Sequence, residues 1–330
     1  MSTLSTANKQ KISDIFSKEE IKQLTSRSDA MGFWAISSTW VVIAATFAGV
    51  AWASEQLHGL ALILVIIIAL IILAGRQLCL AIMMHDAAHG TLFANKKFNE
   101  QLGTWLCAKP IWNDLYQYRP YHLQHHAKTS SAQDPDLSLI AGLPTNKTSL
   151  ARKFARDISG LTGLKFLLGR LLMDLGFLKW SVTNTIEKIP QQGRAWWDYP
   201  LTFFKNSWGM LLTNGVMFAL LAATGHGWLY SLWLLAYVTP FPLLIRIRNM
   251  AEHACTEKTA NTFKNTRTTQ AGWLARATVA PLRVNYHMEH HLMASVPFFR
   301  LPQMHRLLRQ KQAVPTAPSY LDVLKIVSAK

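Results

Sequence analysis

The sequence is poor in cysteine and in acidic residues, and two long stretches of it hold no basic residue at all. Its three cysteines, Cys79, Cys107 and Cys255, show no CxxC spacing, and their odd number argues against a disulfide framework. A structural zinc site built on thiolates lacks its ligands for the same reason. Asp and Glu number 18 against 34 Lys and Arg, a net charge of +16. Yet residues 33–75 and 208–245 contain neither Lys nor Arg. The positive charge flanks those apolar stretches, where it meets anionic lipid headgroups, so nucleic acid is excluded as the partner. The amino-terminal part is polar over about its first thirty residues with no apolar core segment, which predicts no cleavable signal peptide. Ser17 followed by Glu20 has the pattern of a capping box and predicts a short soluble helix there.

The cation-free stretches have the length of membrane hairpins. Phe33–Ala53 and Gly59–Gly75 are joined by a five-residue link, and Trp208–Thr224 and Trp228–Ile245 by Gly225-His226-Gly227. A hydrocarbon core of about 30 Å needs roughly 17–25 helical residues, so each run suffices. The second run continues helically past Arg76, which stands His85 roughly 13 Å beyond the bilayer exit. Pro240 and Pro242 predict a kink in the last helix. Trp34, Trp52, Trp208 and Trp228 occupy the four interfacial positions. Leu161–Lys179 is apolar but broken by Lys165, Arg170 and Asp174, which favours an amphipathic interfacial helix over a fifth span.

All basic residues fall in 1–32, 76–207 or 246–330, and the positive-inside rule places those segments in the cytoplasm. We therefore read 1–330 as one all-α integral membrane domain. A cytosolic segment 1–32 precedes a first hairpin 33–75. The cytosolic segment 76–207 carries two histidine clusters and the interfacial helix. A second hairpin 208–245 and a cytosolic segment 246–330 with the third cluster complete the chain.

The histidines carry the chemistry. HDAAH at 85–89, HLQHH at 122–126 and HMEHH at 287–291 hold eight of the twelve, and His253 lies alone beside a helix end. Pro120, just ahead of the second cluster, suits the first position of a helix. Spacings of three and four residues put side chains on one helical face, and imidazole is the commonest neutral metal ligand at physiological pH. His85, His89, His122, His125, His126, His253, His287, His290 and His291 are the candidate ligands. Nine imidazoles exceed the needs of one ion, so two ions share them. Imidazole suits iron, zinc, copper and nickel alike, and ligand type does not choose among them. A HExxH zinc protease is disfavoured because Asp86 stands where its general-base Glu belongs. His58 and His226 belong to the outer loops, and His305 to a basic amphipathic segment 301–310. Trp112, Tyr116, Tyr118 and Tyr121 are candidates to line a tunnel, or to pack as ordinary aromatics.

These motifs resemble the three histidine boxes of the integral-membrane fatty acid desaturase and hydroxylase superfamily. VNYHMEHHL, the following Val296-Pro and Leu301-Pro-Gln-Met-His305, and Asp134-Pro-Asp136 match it too, over roughly residues 80–310. The three-residue spacing in the first box is similar to acyl-lipid desaturases. The resemblance implies four spans in two hairpins, with a cytosolic helical cap holding two iron ions that activate O2 as co-substrate. It implies hydrogen removal from a lipid-linked acyl chain, with the nine histidines as ligands. Asn249 matches a position that reaches a metal through water, and Glu252 and Glu289 flank ligands as partners that orient imidazoles. No cytochrome b5-like segment is present, so the electron donor is a separate ferredoxin or cytochrome b5 with its reductase. The location follows as a bacterial inner membrane or the endoplasmic reticulum. The same ligands would serve hydroxylation or ketolation of an alkyl chain, sphingoid base or carotenoid. A membrane metal transporter or sensor is the non-enzymatic alternative, but its ligands belong near mid-bilayer and these lie past the helix ends.

Overall fold

A computed structural model describes residues 12–181 and 186–330, and residues 1–11 of the expected amino-terminal segment fall outside it. The described residues form helices and no strands, with only three isolated bridges between extended positions. The helices that position the site are α1 (Lys18–Leu24), α2 (Asp29–Gln56), α3 (Gly59–Ala88), α4 (Leu115–Lys128), α5 (Lys147–Ile158) and α6 (Leu161–Asp174). They are followed by α7 (Asp198–Ala223), α8 (Tyr230–Val238), α9 (Pro240–His253), α10 (His287–Leu292), α11 (Leu301–Gln310) and α12 (Tyr320–Val327).

Local chemistry explains the boundaries. Ser17 and Glu20 cap α1 reciprocally, as the sequence predicts. Helix α4 starts at Leu115, earlier than Pro120 suggests, because the Asp114 carboxylate accepts from the backbone N–H groups of Tyr116 and Gln117. Pro120 therefore sits inside the helix and not at its first position. The expected break in the last long helix falls at Thr239, where ψ is −81° and Pro240 opens α9.

Helix α3 is the central element, packing against α2, α4, α8 and α9. Its 30 residues extend about 45 Å, roughly ten residues more than a hydrocarbon core requires. The two halves differ. Leu60, Ile63, Leu64, Ile67 and Ile68 are exposed, whereas Leu73, Leu78, Leu80, Met83 and Met84 are buried. So much contiguous exposed aliphatic surface on one helix suits lipid and not water. The same helix is then sheathed by protein before it delivers His85.

Three helical stretches are long and apolar enough to cross a membrane: Lys18–Gln56, Gly59–Ala88 and Gly227–His253. Helix α7 has 26 residues and exposes Leu201, Phe204, Trp208 and Leu212, but Asn206, Thr213 and Asn214 dilute its apolar character and it is not among the three. It also starts ten residues before Trp208, at Asp198. Helix α6 has 14 residues, about 21 Å, and is too short to span. The four expected interfacial tryptophans are all exposed, with Trp52 at 62% and Trp34 at 57%.

The segment that leads to the third histidine box is fastened to α3 by a close approach. A Cβ on Gly75 would lie 2.4 Å from the Ala277 carbonyl oxygen, and the neighbouring Arg76 donates to that same oxygen at 2.8 Å. Any side chain at 75 forces the two segments apart. Gly75→Val is expected to cost about 2 kcal/mol through overpacking, read as a lowered thermal unfolding midpoint in detergent. An unchanged midpoint would show that this contact does not fasten the segment.

Candidate metal centre

All nine histidines singled out in the sequence converge, in two groups. His85, His89, His122, His126 and His290 form one, and His125, His253, His287 and His291 the other. Within each group one ring nitrogen per residue lies within 4.8 Å of all the rest. The division follows helix geometry. Residues four apart differ by about 40° around a helix, and adjacent ones by about 100°. The pairs His85/His89, His122/His126 and His287/His291 therefore each stay together, while His125 and His290 turn to the other group. Helices α4 and α10 each supply both groups, which abut through the His126 and His291 rings, stacked 4.0 Å apart.

The ring nitrogens face one another with little between them. Nε2 of His122 lies 2.9 Å from Nε2 of His89 and 3.1 Å from Nε2 of His126, which is in turn 3.1 Å from that of His290. In the second group His253 and His287 approach at 2.8 Å.

Behind the rings, polar partners fix which nitrogen carries the proton. Asp134 lies 2.8 Å from His125 Nδ1, and Asp136 3.5 Å from it. Burial raises the Asp134 carboxyl, but the hydrogen bond and charge of His125 outweigh it and hold Asp134 below the usual carboxylate range. An ionised carboxylate only accepts, so Nδ1 of His125 holds a proton and Nε2 presents a lone pair to the group. Asp86 stands 2.9 Å from His85 Nδ1, and Glu252 lies 3.4 Å from His287 Nδ1 while accepting from Arg248 at 2.7 Å. Thr129 gives its hydroxyl proton to the His125 carbonyl at 2.7 Å, so at 3.3 Å from His291 Nδ1 its oxygen accepts.

This leaves Nε2 of His85 and of His291, and Nδ1 of His287, buried without any hydrogen-bond partner among the described residues. Orphaned lone pairs of that kind cost about 1–3 kcal/mol each. Burial, reinforced by the neighbouring imidazoles, depresses the pKa values of His122, His287, His290 and His291 well below the ordinary value. Burial likewise takes His89 to about 4 and His126 to about 2. His125 is the exception: burial opposes its charge, but the Asp134 hydrogen bond and nearby carboxylates raise it. Inward-facing neutral imidazoles with bare nitrogens suit divalent transition-metal cations, one in each group.

A cavity of about 640 Å³ reaches the groups from one side. His85, His122, His125, His253 and His287 line it, as do Asn249 and Glu252. Trp112, Tyr118 and Tyr121 line it as well, whereas Tyr116 does not and is exposed. Asn249 thus faces the same space as the four-histidine group. Glu289 departs from expectation. It is fully buried, but its hydrogen bonds go to Thr268 and, at 2.5 Å, to His305 Nδ1. Sequence reasoning treats His305 as an ordinary amphipathic-helix residue and misses the roles of Asp86, Asp134 and Thr129. The Asp134-Pro-Asp136 motif is the available signal for one of them.

The chain matches the fatty acid desaturase family over residues 60–321. It belongs to that family. A dihydrorhizobitoxine desaturase from Bradyrhizobium elkanii is 29% identical over 303 residues, covering 89% of this chain and 80% of the relative. The desaturase resemblance read from the histidine boxes is therefore borne out, and with it an oxidoreductase of desaturase type.

Asp134→Asn preserves shape and removes the charge behind His125. It is expected to weaken metal retention about ten- to hundredfold in chelator competition while the helical content is unchanged. Undiminished retention would remove Asp134 from the support of the site.

Proposed function

We propose that the chain is an O2-dependent acyl desaturase whose nine histidines hold two iron ions, five in one site and four in the other. The observation that supports this most directly is the convergence of bare, buried ring nitrogens in two abutting groups beside a cavity. Two irons held there would supply the oxygen chemistry that an unactivated carbon–hydrogen bond demands. Overall, one O2, two electrons from a separate carrier, two protons and two hydrogens of the chain become two waters and a double bond. A ferredoxin or a cytochrome b5 with its reductase fits the role of donor.

The protein's own part is positional. The Asp134 carboxylate behind His125 holds a proton on Nδ1 and keeps Nε2 free and correctly aimed, while Asp86 and Glu252 stand beside the Nδ1 atoms of His85 and His287. Asn249 lines the cavity beside the smaller group, where it can hold a water that completes that site. Leu78, Ala81, Phe241 and Ile245 line the cavity together with the histidines and offer an apolar path that aligns a chain and excludes bulk water. The relative's name says that it desaturates dihydrorhizobitoxine. We infer a lipid-borne acyl chain here from the cavity and from the exposed apolar helices.

Four spans in two hairpins fit best, with α7 as the fourth. His226 lies 3.6 Å from Glu55, which supports placing both hairpin turns at one end, away from the histidines. Both termini and the metal site then lie on the cytoplasmic side, in a bacterial inner membrane or the endoplasmic reticulum.

Fatty acid analysis of an expressing host is expected to show a new double bond. A new hydroxyl or keto group would overturn desaturation in favour of oxygen insertion by the same site. His125→Ala and His290→Ala should each abolish turnover and lower iron content with membrane insertion intact, whereas His226→Ala should leave both unchanged. Retained turnover in either of the first two would remove that residue from the site.

A further inference from the structure

The cavity that reaches the histidines is lined by charge of opposite sign in different regions. Its carboxylates, Asp134, Asp136 and Glu252, all stand behind histidines and are engaged there by His125, Tyr121 and Arg248. Helices α5 and α6 carry none of the nine histidines, and they bring cations to its lining instead. Some of the lining cations are already matched. Arg246 is neutralised by the buried Asp157, Arg170 faces Asp174 at 4.0 Å, and Lys179 pairs with Glu187. Lys153, Arg156 and Lys165 line the cavity and form no ion pair among the described residues. Arg156 and Lys165 are exposed and Lys153 is half-buried, so this is where the cavity reaches the surface. Leu78, Ala81, Phe241 and Ile245 add apolar surface to the same lining. Cations left without counter-charges beside an apolar channel lose solvation on one side, and an anion entering the channel restores it.

We propose that the cavity takes an amphiphile with an anionic head, a carboxylate or a phosphate, which Lys153, Arg156 and Lys165 hold while its chain runs past the histidines. This rests on the desaturase reading for the fate of the chain, but binding itself requires no turnover. The three cations are specificity-determining residues: they select the head and set how deep the chain enters. A substrate with a neutral head forfeits those contacts and loses register against the metal site.

Binding separates the idea from catalysis. Purified full-length protein in a non-ionic detergent is titrated with cis-parinaric acid above its micellar pKa, and separately with its methyl ester, following fluorescence. The acid is expected to bind about tenfold more tightly, the order of one charge-assisted hydrogen bond. That preference should vanish in the triple variant Lys153→Gln, Arg156→Gln, Lys165→Gln and persist in Arg152→Gln, an exposed neighbour on α5 that does not line the cavity. Equal affinity for acid and ester in the unaltered protein overturns the proposal without recourse to any variant. So does equal loss in Arg152→Gln, which would mark a diffuse surface field. Displacement of the bound probe by palmitate or by lysophosphatidic acid tells a free carboxylate from a lipid phosphate, and displacement by neither also overturns it. Desaturase products with no acid preference would fault only the head, and acid preference with no new double bond only the reaction.

Discussion

Everything in this protein is organised around nine imidazoles turned toward one another with ring nitrogens inward. In an uncharged interior such crowding is costly, because neutral imidazoles have too few N–H groups for so many inward nitrogens, and Nε2 of His85 and of His291 have no partner among the described residues. Cations relieve it. The protein accepts the arrangement because rigid elements enforce it: a 30-residue helix brings the first pair, α4 and α10 the next six, and a proline-broken helix the ninth. Buried carboxylates then stand behind the rings, and they balance part of the charge that two divalent ions would introduce.

The contrast along α3 shows how one helix serves two environments. Its early aliphatic side chains are exposed and suit lipid, and its later ones are packed by protein. A single unbroken hydrogen-bonded rod joins the two, so the depth of the apolar anchor and the height of His85 are mechanically the same variable.

Much of this is legible in residue order, because helical periodicity and histidine spacing are local. The nine converging histidines, the long helices and the break near Pro240 follow from such patterns. The partition into five and four is also within reach, since residues four apart share a site and the residue between them does not. Other features depend on which distant segments meet. Glu289 neighbours two histidines in sequence but bonds to Thr268 and His305, and only the packing of α10 against α11 decides that. The start of α4 is hidden differently: Pro120 is the louder signal, but the Asp114 side chain at the helix entrance is the stronger one. The extra turn that results carries Arg119, which donates to the Ala87 and Ala88 carbonyls and ties α4 to the end of α3. No local pattern foretells that tie.

The sharing of α4 and α10 between both histidine groups has a further effect. Neither helix can shift to suit one group without moving histidines of the other, so the spacing of the two groups is set by the backbone of α4 and α10. Metal ions held in both groups would share that constraint: ordering one group would also order most of its neighbour, and filling the first site would lower the entropic cost of filling the second.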